Sequence, residues 1–135
     1  MSPEDALLRV IHCLDRSQAS GFKTKAFVRA LDVVRTADHA ELERRAANDT
    51  LTDLDGIGSS TAQVISDALR GVTPQYLVDI EASSQVEVSD KARPYLDALR
   101  GDCHMHSTWS DGGAPIERMA TTAMALGHEY MVQTD

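Results

Sequence analysis

The sequence predicts an all-α amino-terminal domain followed by the opening of an α/β unit, and three observations predict it. Apolar residues before residue 85 recur at helical spacing, and no segment there alternates as a strand does. A Gly-Ile-Gly turn at residues 56–58 separates two such helical stretches. After residue 100, a His-x-His strand leads through a helical stretch to a second apolar strand. The expected division is 1–81 for the helical domain, 82–100 for a linker with a short helix, and 101–135 for one strand-helix-strand unit, which cannot close on itself.

Ser2-Pro3-Glu4-Asp5 is a helix start, with a capping hydroxyl, proline at the first helical position and two acids at the positive end of the helix dipole. Leu7, Val10, Ile11 and Leu14 follow at i, i+3, i+4, i+7 and mark the buried face, and Gly21 closes the loop after it. A second helix is expected from Lys23 or Thr24, with Phe27, Ala30, Leu31 and Val34 inward. Asp38 and Glu41 have the spacing of a capping box for a short third helix carrying Leu42, Ala46 and Ala47. Thr73-Pro74 starts a last helix with Tyr76, Leu77 and Ile80. In the linker, Tyr95, Leu96 and Leu99 are expected against the core. Ile116 to Leu126 reads as a helix with Met119, Met124 and Leu126 inward, and Tyr130 to Gln133 as a strand.

The stretch Leu51-Thr52-Asp53-Leu54-Asp55-Gly56-Ile57-Gly58-Ser59-Ser60-Thr61-Ala62-Gln63-Val64-Ile65 is closed by Leu69, Arg70 and Gly71. Two glycines around one aliphatic residue permit a tight turn with positive φ, and Ser59 is placed to cap the next helix. Main-chain amides at a helix start lack partners inside the helix, so a phosphate oxygen can rest on them without a basic side chain. The expected contacts are Gly56, Ile57, Gly58, Ser59 and Ser60. The pattern resembles the helix-hairpin-helix element, with its apolar register running through Ala62, Ile65 and Leu69. A plain helix-turn-helix corner in a bundle is the alternative.

Gly21-Phe22-Lys23-Thr24-Lys25-Ala26-Phe27-Val28-Arg29-Ala30 resembles the segment of the small amino-terminal domain of family X DNA polymerases that contacts a 5′ phosphate. The resemblance covers roughly residues 3 to 81 and implies Lys23 and Arg29 as phosphate contacts. In the polymerase-beta branch this domain is also a lyase, with lysines just after the hairpin. Those positions hold Ser60 and Val64 here, and without an amine no imine forms, so lyase activity is not expected.

Residues 101 to 112 read Gly-Asp-Cys-His-Met-His-Ser-Thr-Trp-Ser-Asp-Gly. In a strand, Asp102, His104 and His106 share one face, and Cys103 and Met105 share the other. Two imidazoles on one face suit zinc or manganese, Asp111 adds a hard oxygen, and Gly112-Gly113 lets the backbone turn around it. The segment resembles the first motif of the polymerase and histidinol phosphatase (PHP) superfamily of metal-dependent phosphoesterases. Met119 to Asp135 is similar to the stretch leading to its second motif, Thr-Asp-His, whose histidine would follow Asp135. The resemblance implies a distorted barrel of strand and helix units with up to three metal ions at one end. It further implies His104, His106 and Asp111 as ligands, with Asp102 as an acceptor that orients an imidazole. Cys103 stands where that family has an aliphatic residue and is expected as a small buried hydrophobe.

Composition narrows the function. The formal charge is −8, with nine basic residues against thirteen acidic ones up to residue 81 and four against eight beyond it. Neither part is a basic arm, so any DNA contact must be local. No run approaches the roughly 20 consecutive apolar residues of a membrane span, and no secretory leader opens the chain. Cys13 and Cys103 lie far apart, which suits free thiols in the cytoplasm. His12, His39 and His128 are expected as structural residues, and Trp109 as an aromatic wall of the loop.

Together the resemblances imply the amino-terminal fragment of a PHP-type phosphoesterase acting on DNA ends, gaps or nicks bound through residues 51–71, or on a phosphate monoester. Only Ala82 to Arg100 lies between the two parts, which leaves no room for a polymerase palm. With an incomplete ligand set the fragment is expected to be inactive and to hold zinc or manganese weakly, and the exposed apolar faces of residues 101–135 to pair between chains. The alternatives are a non-enzymatic DNA-end or protein-binding module and a small-molecule phosphatase of the histidinol phosphate type.

Overall fold

A computed structural model describes residues 1–135, which separate into two compact units, Met1–Gln85 and Val86–Asp135. The chain is mostly helical, with seven α-helices and one two-stranded parallel sheet. No helix is long and apolar enough to cross a membrane.

The first unit holds five helices: α1 (Pro3–Arg16), α2 (Gly21–Thr36), α3 (His39–Ala47), α4 (Ser59–Leu69) and α5 (Gln75–Ser83), with a 3-10 turn at Leu51–Asp53. Helix α1 starts as its sequence requires. The Ser2 hydroxyl accepts from the Asp5 amide, and the Asp5 carboxylate accepts from the Ser2 amide. Helix α2 begins at Gly21, two or three residues earlier than expected, so Gly21 opens the helix rather than closing the loop before it. The Asp38 side chain caps α3 by accepting from the Glu41 amide. The Glu41 carboxylate does not return the bond, because Arg44 and Arg45 hold it on the helix surface.

Helix α1 is the centre of this unit, packing against α2, α4 and α5. Its Leu7, Val10 and Leu14 meet Phe27, Ala30 and Leu31 of α2, Val64 and Ile65 of α4 and Leu77 of α5 in one buried core. Each large aliphatic side chain enclosed this way contributes about 1.5–3 kcal/mol. Around it, the Arg9 guanidinium pairs with Glu81, and Arg16 donates to the Ser84 hydroxyl at 2.9 Å, tying α1 to the end of α5. The inward face of α4 is Thr61, Val64, Ile65 and Ala68, while Ala62 and Leu69 are half-buried.

The second unit contains α6 (Arg93–Ala98), β1 (Gly101–Met105), α7 (Ile116–Ala125) and β2 (Tyr130–Gln133). The strands pair in parallel, with Gly101 opposite Tyr130 and Asp102 opposite Met131, and the register slips between Asp102 and Met105. Two expected cores differ: in α7, Met119 and Leu126 are half-buried and Met124 is exposed, and α6 contributes no buried residue. Tyr95, Leu96 and Leu99 do not pack inward, with Tyr95 78%, Leu96 44% and Leu99 67% exposed. In α7 the buried residue is Ala123, one position before the exposed Met124.

Candidate functional site

The hairpin connects α3 to α4 through the 3-10 turn. Gly56 has φ +93, which a side chain would strain, and a Cβ there would press on Val33 at 3.2 Å. Gly58 has φ −96 with open space around it, so only the first glycine is required by conformation. Ile57 does not project outward; it is buried and anchors the turn in the core. Ser59 is the first helical residue rather than the cap. Thr61 takes the capping role, its hydroxyl accepting from the Gly58 amide at 2.9 Å. The amides of Ser59 and Ser60, both exposed residues, have no acceptor within the chain.

Arg29 comes to this turn from α2. Its Nη2 lies 3.6 Å from Asp55 Oδ2, and a Cβ on Gly56 would sit 3.8 Å from the Arg29 main-chain oxygen. Lys23 is exposed on the first turn of the same helix, six residues and about 9 Å of rise earlier, on a different face. Lys25 shares Arg29's face at i, i+4 and is also exposed. Ser60 is exposed, but Val64 is wholly buried, so the second of the two positions compared with lyase lysines faces the core.

In the second unit, β1 delivers His104, and His106 follows just past its end. The imidazoles converge: Nε2 of His106 lies 3.0 Å from Nε2 of His104, with ring centroids 4.7 Å apart. Zn–N bonds of about 2.0–2.1 Å in a tetrahedron set two nitrogens roughly 3.3 Å apart, so a small opening of the pair fits it to one cation. Asp111 is beside His106, but on the other side of the ring, its Oδ1 2.8 Å from Nδ1. The three expected ligands are therefore neighbours that do not meet at one point, and no group of three or more His, Cys, Asp or Glu side chains in the chain does.

Two neighbours differ from expectation. The Asp102 carboxylate accepts from the His104 main-chain amide at 2.8 Å instead of an imidazole, at the point where the strand register slips. Cys103 is exposed, not a buried hydrophobe. It lies against Tyr130 and is the main reason that the phenol is held above its ordinary value.

The loop after β1 is organised by Asp135, a residue missed as a site element. Its carboxylate accepts from the Ser107 amide at 2.6 Å, the Ser107 hydroxyl at 2.5 Å, the Ser110 hydroxyl at 2.6 Å and the Gln133 amide at 2.7 Å. Partial desolvation opposes its ionisation. The hydrogen bonds from Ser107, Ser110 and Gln133 overcome that and hold the carboxyl well below the usual carboxylate range. Ser110 Oγ is in turn 3.0 Å from His106 Nδ1. Gly112 closes the loop against the main chain, where a Cβ would overlap the His106 carbonyl. The signal was present in the sequence, since Ser107 and Ser110 lie inside the His-x-His motif, but their partner is 25 to 28 residues away.

No family model matches the chain, and no solved structure matches it. The DNA polymerase/3′-5′ exonuclease PolX of Bacillus subtilis (strain 168) is 50% identical to it over 40 residues. Those residues are 30% of this chain and 7% of that protein, so the similarity is a family-level link over a minority of either length.

Proposed function

We propose that these residues belong to a metal-dependent phosphoesterase of the PHP type, in which the hairpin unit holds DNA ends, gaps or nicks. The observation that carries the reading is the convergence of the His104 and His106 Nε2 atoms at 3.0 Å. Two neutral imidazole lone pairs repel at that distance, so either a proton or a cation belongs between them. The similarity to PolX supports the same reading.

His104 and His106 are the two nitrogen donors, and Asp111 supplies an oxygen. The PHP resemblance implies up to three ions, so the carboxylate and the imidazole pair need not share one. A bound divalent cation would lower the pKa of a water and stabilise charge developing on phosphoryl oxygens. The residues themselves orient the donors: Asp102 pins the His104 main chain, and Asp111 accepts the Nδ1 proton of His106. In the hairpin, the Ser59 and Ser60 amides and the side chains of Lys23 and Arg29 contact phosphates, with Ile57 and Thr61 holding the turn in shape.

Calorimetric titration of zinc and manganese into the 135-residue chain tests the metal half. His104→Ala and His106→Ala should each weaken binding at least tenfold, and equal affinity in both variants would sink it. Anisotropy of a gapped, 5′-phosphorylated duplex tests the DNA half. Affinity should fall with salt and drop in Arg29→Ala, whereas salt-independent binding would point to a module of another kind.

A further inference from the structure

We propose that Asp135 is the positioning residue of the imidazole pair: through the Ser110 hydroxyl it fixes His106 as the Nδ1–H tautomer and leaves the Nε2 lone pair free for a cation. The inference rests on the metal reading of His104 and His106 given above.

Proton counting gives the tautomer. An ionised carboxylate only accepts, so the Ser110 hydroxyl, 2.6 Å from Asp135 Oδ1, gives its single proton to it. Ser110 Oγ then faces His106 Nδ1, 3.0 Å away, as an acceptor. Asp111 Oδ1, 2.8 Å from the same nitrogen, is also an acceptor. Both contacts require a proton on Nδ1. In the neutral ring Nε2 is then an acceptor, and in the metal-free chain it takes the proton that His104 Nε2 carries across the 3.0 Å contact, a proton that a cation would replace.

Asp111 alone is a poor guarantor of this arrangement, because its side chain is 86% exposed and water competes for it. Asp135 is anchored by three further bonds, two of them to Ser107, which is fully buried. Without the Asp135 carboxylate, the Ser110 proton is free to turn toward Nδ1. The ring can then carry its proton on Nε2, where it blocks the cation. Asp135 thus acts on the pair without touching either ring.

Nitrogen-15 NMR of histidine-labelled, metal-free chain reads the tautomer directly, and zinc titration reads its consequence. The parent should show His106 protonated at Nδ1. Ser110→Ala, which keeps the bonds from Ser107 and Gln133 to Asp135, should admit the Nε2–H form and weaken zinc binding by about ten- to a hundredfold. Asp135→Ala should do the same, and Ser110→Thr should restore both readouts. An Nε2–H tautomer in the parent, or an unchanged tautomer in Ser110→Ala, overturns the proposal. A His104→Ala chain that binds zinc as tightly as the parent overturns the metal reading and the purpose assigned to the tautomer. The NMR result, obtained without metal, still decides separately whether Asp135 sets it.

Discussion

The two units hold themselves together by different means. Every buried hydrophobic residue except Ala123 lies in Met1–Gln85, where α1 threads a core shared by three other helices. In Val86–Asp135 the wholly enclosed residue is Ser107, held by a carboxylate, while Tyr95, Leu99, Trp109 and Met124 face outward. A hydrogen bond nets about 0.5–1.5 kcal/mol, and a buried leucine about 1.5–3 kcal/mol. The first unit is therefore built for stability and the second for the placement of particular side chains. A two-stranded sheet with two short helices and one buried apolar residue is marginal by itself, and the second unit is expected to open first.

The largest expected effect tests that contrast. Leu7→Ala should cost the first unit about 2–5 kcal/mol, the range for truncating an enclosed leucine beside a cavity that cannot collapse. Met124→Ala, on the exposed side of α7, should stay within about 0.5 kcal/mol. Denaturant melts followed by circular dichroism measure both. Comparable losses would mean that the second unit has an apolar core of its own.

Much of the first unit was legible because helical periodicity and capping are local. Leu7, Val10 and Leu14 face the core as their spacing requires, and Ser2 caps α1 as its sequence suggests. The inward face of α4 was less legible, because Thr61 turns in to cap the helix with its hydroxyl, a role that hydrophobicity does not signal. Periodicity places Tyr95, Leu96 and Leu99 together as a core face, yet it carries no information on whether another element covers them, and all three are exposed. At the site, strand alternation brought His104 and His106 to one side. The positions of Asp102 and Asp111 depend on a register slip and a loop, which alternation cannot foresee. Asp135 falls on the aspartate of the resembled Thr-Asp-His motif, but its link to Ser107 and Ser110 was not legible, because those partners are distant in sequence and become neighbours only once β1 and β2 pair.

The hairpin sharpens the comparison, since it belongs to the stable unit yet carries the proposed DNA contacts. Gly56→Val should destabilise by about 1–3 kcal/mol, the cost of forcing a side chain into positive φ, with added pressure on Val33. Gly58→Ala should leave the melting midpoint unchanged, because its backbone is ordinary and the space around it open. Thermal melts of the two variants decide it, and equal losses would place the constraint in the whole turn.

Acid should separate the units. The Asp135 carboxyl has a folded value lowered from its ordinary 3.8, so its contribution to stability is complete above that ordinary value and is lost as pH falls toward the lower one. Between pH 7 and about 5 the Ser107 amide, which donates to Asp135, should keep its NMR shift and its exchange protection. Protection there should decline at more acid pH, ahead of the amides of α1. Loss of Ser107 protection near neutral pH would show that the clamp does not depend on this carboxylate.

The smallest expected effect concerns the ion pair between the hairpin and α2. Asp55 is 99% exposed and 3.6 Å from Arg29, a geometry in which water and salt screen most of the attraction. Asp55→Asn should therefore leave the thermal midpoint of the first unit where it is. It also removes a negative charge from the turn whose amides are proposed to meet phosphate, and it releases Arg29 to do the same. Affinity for a gapped duplex should rise modestly at low salt, with the gain vanishing as salt increases. A fall in stability comparable to that of Gly56→Val would mean that the turn leans on this pair instead of on Ile57 and the Thr61 cap. Electrostatics would then be holding part of the unit assigned here to apolar packing, and the division between the two halves of the chain would be less sharp than their cores suggest.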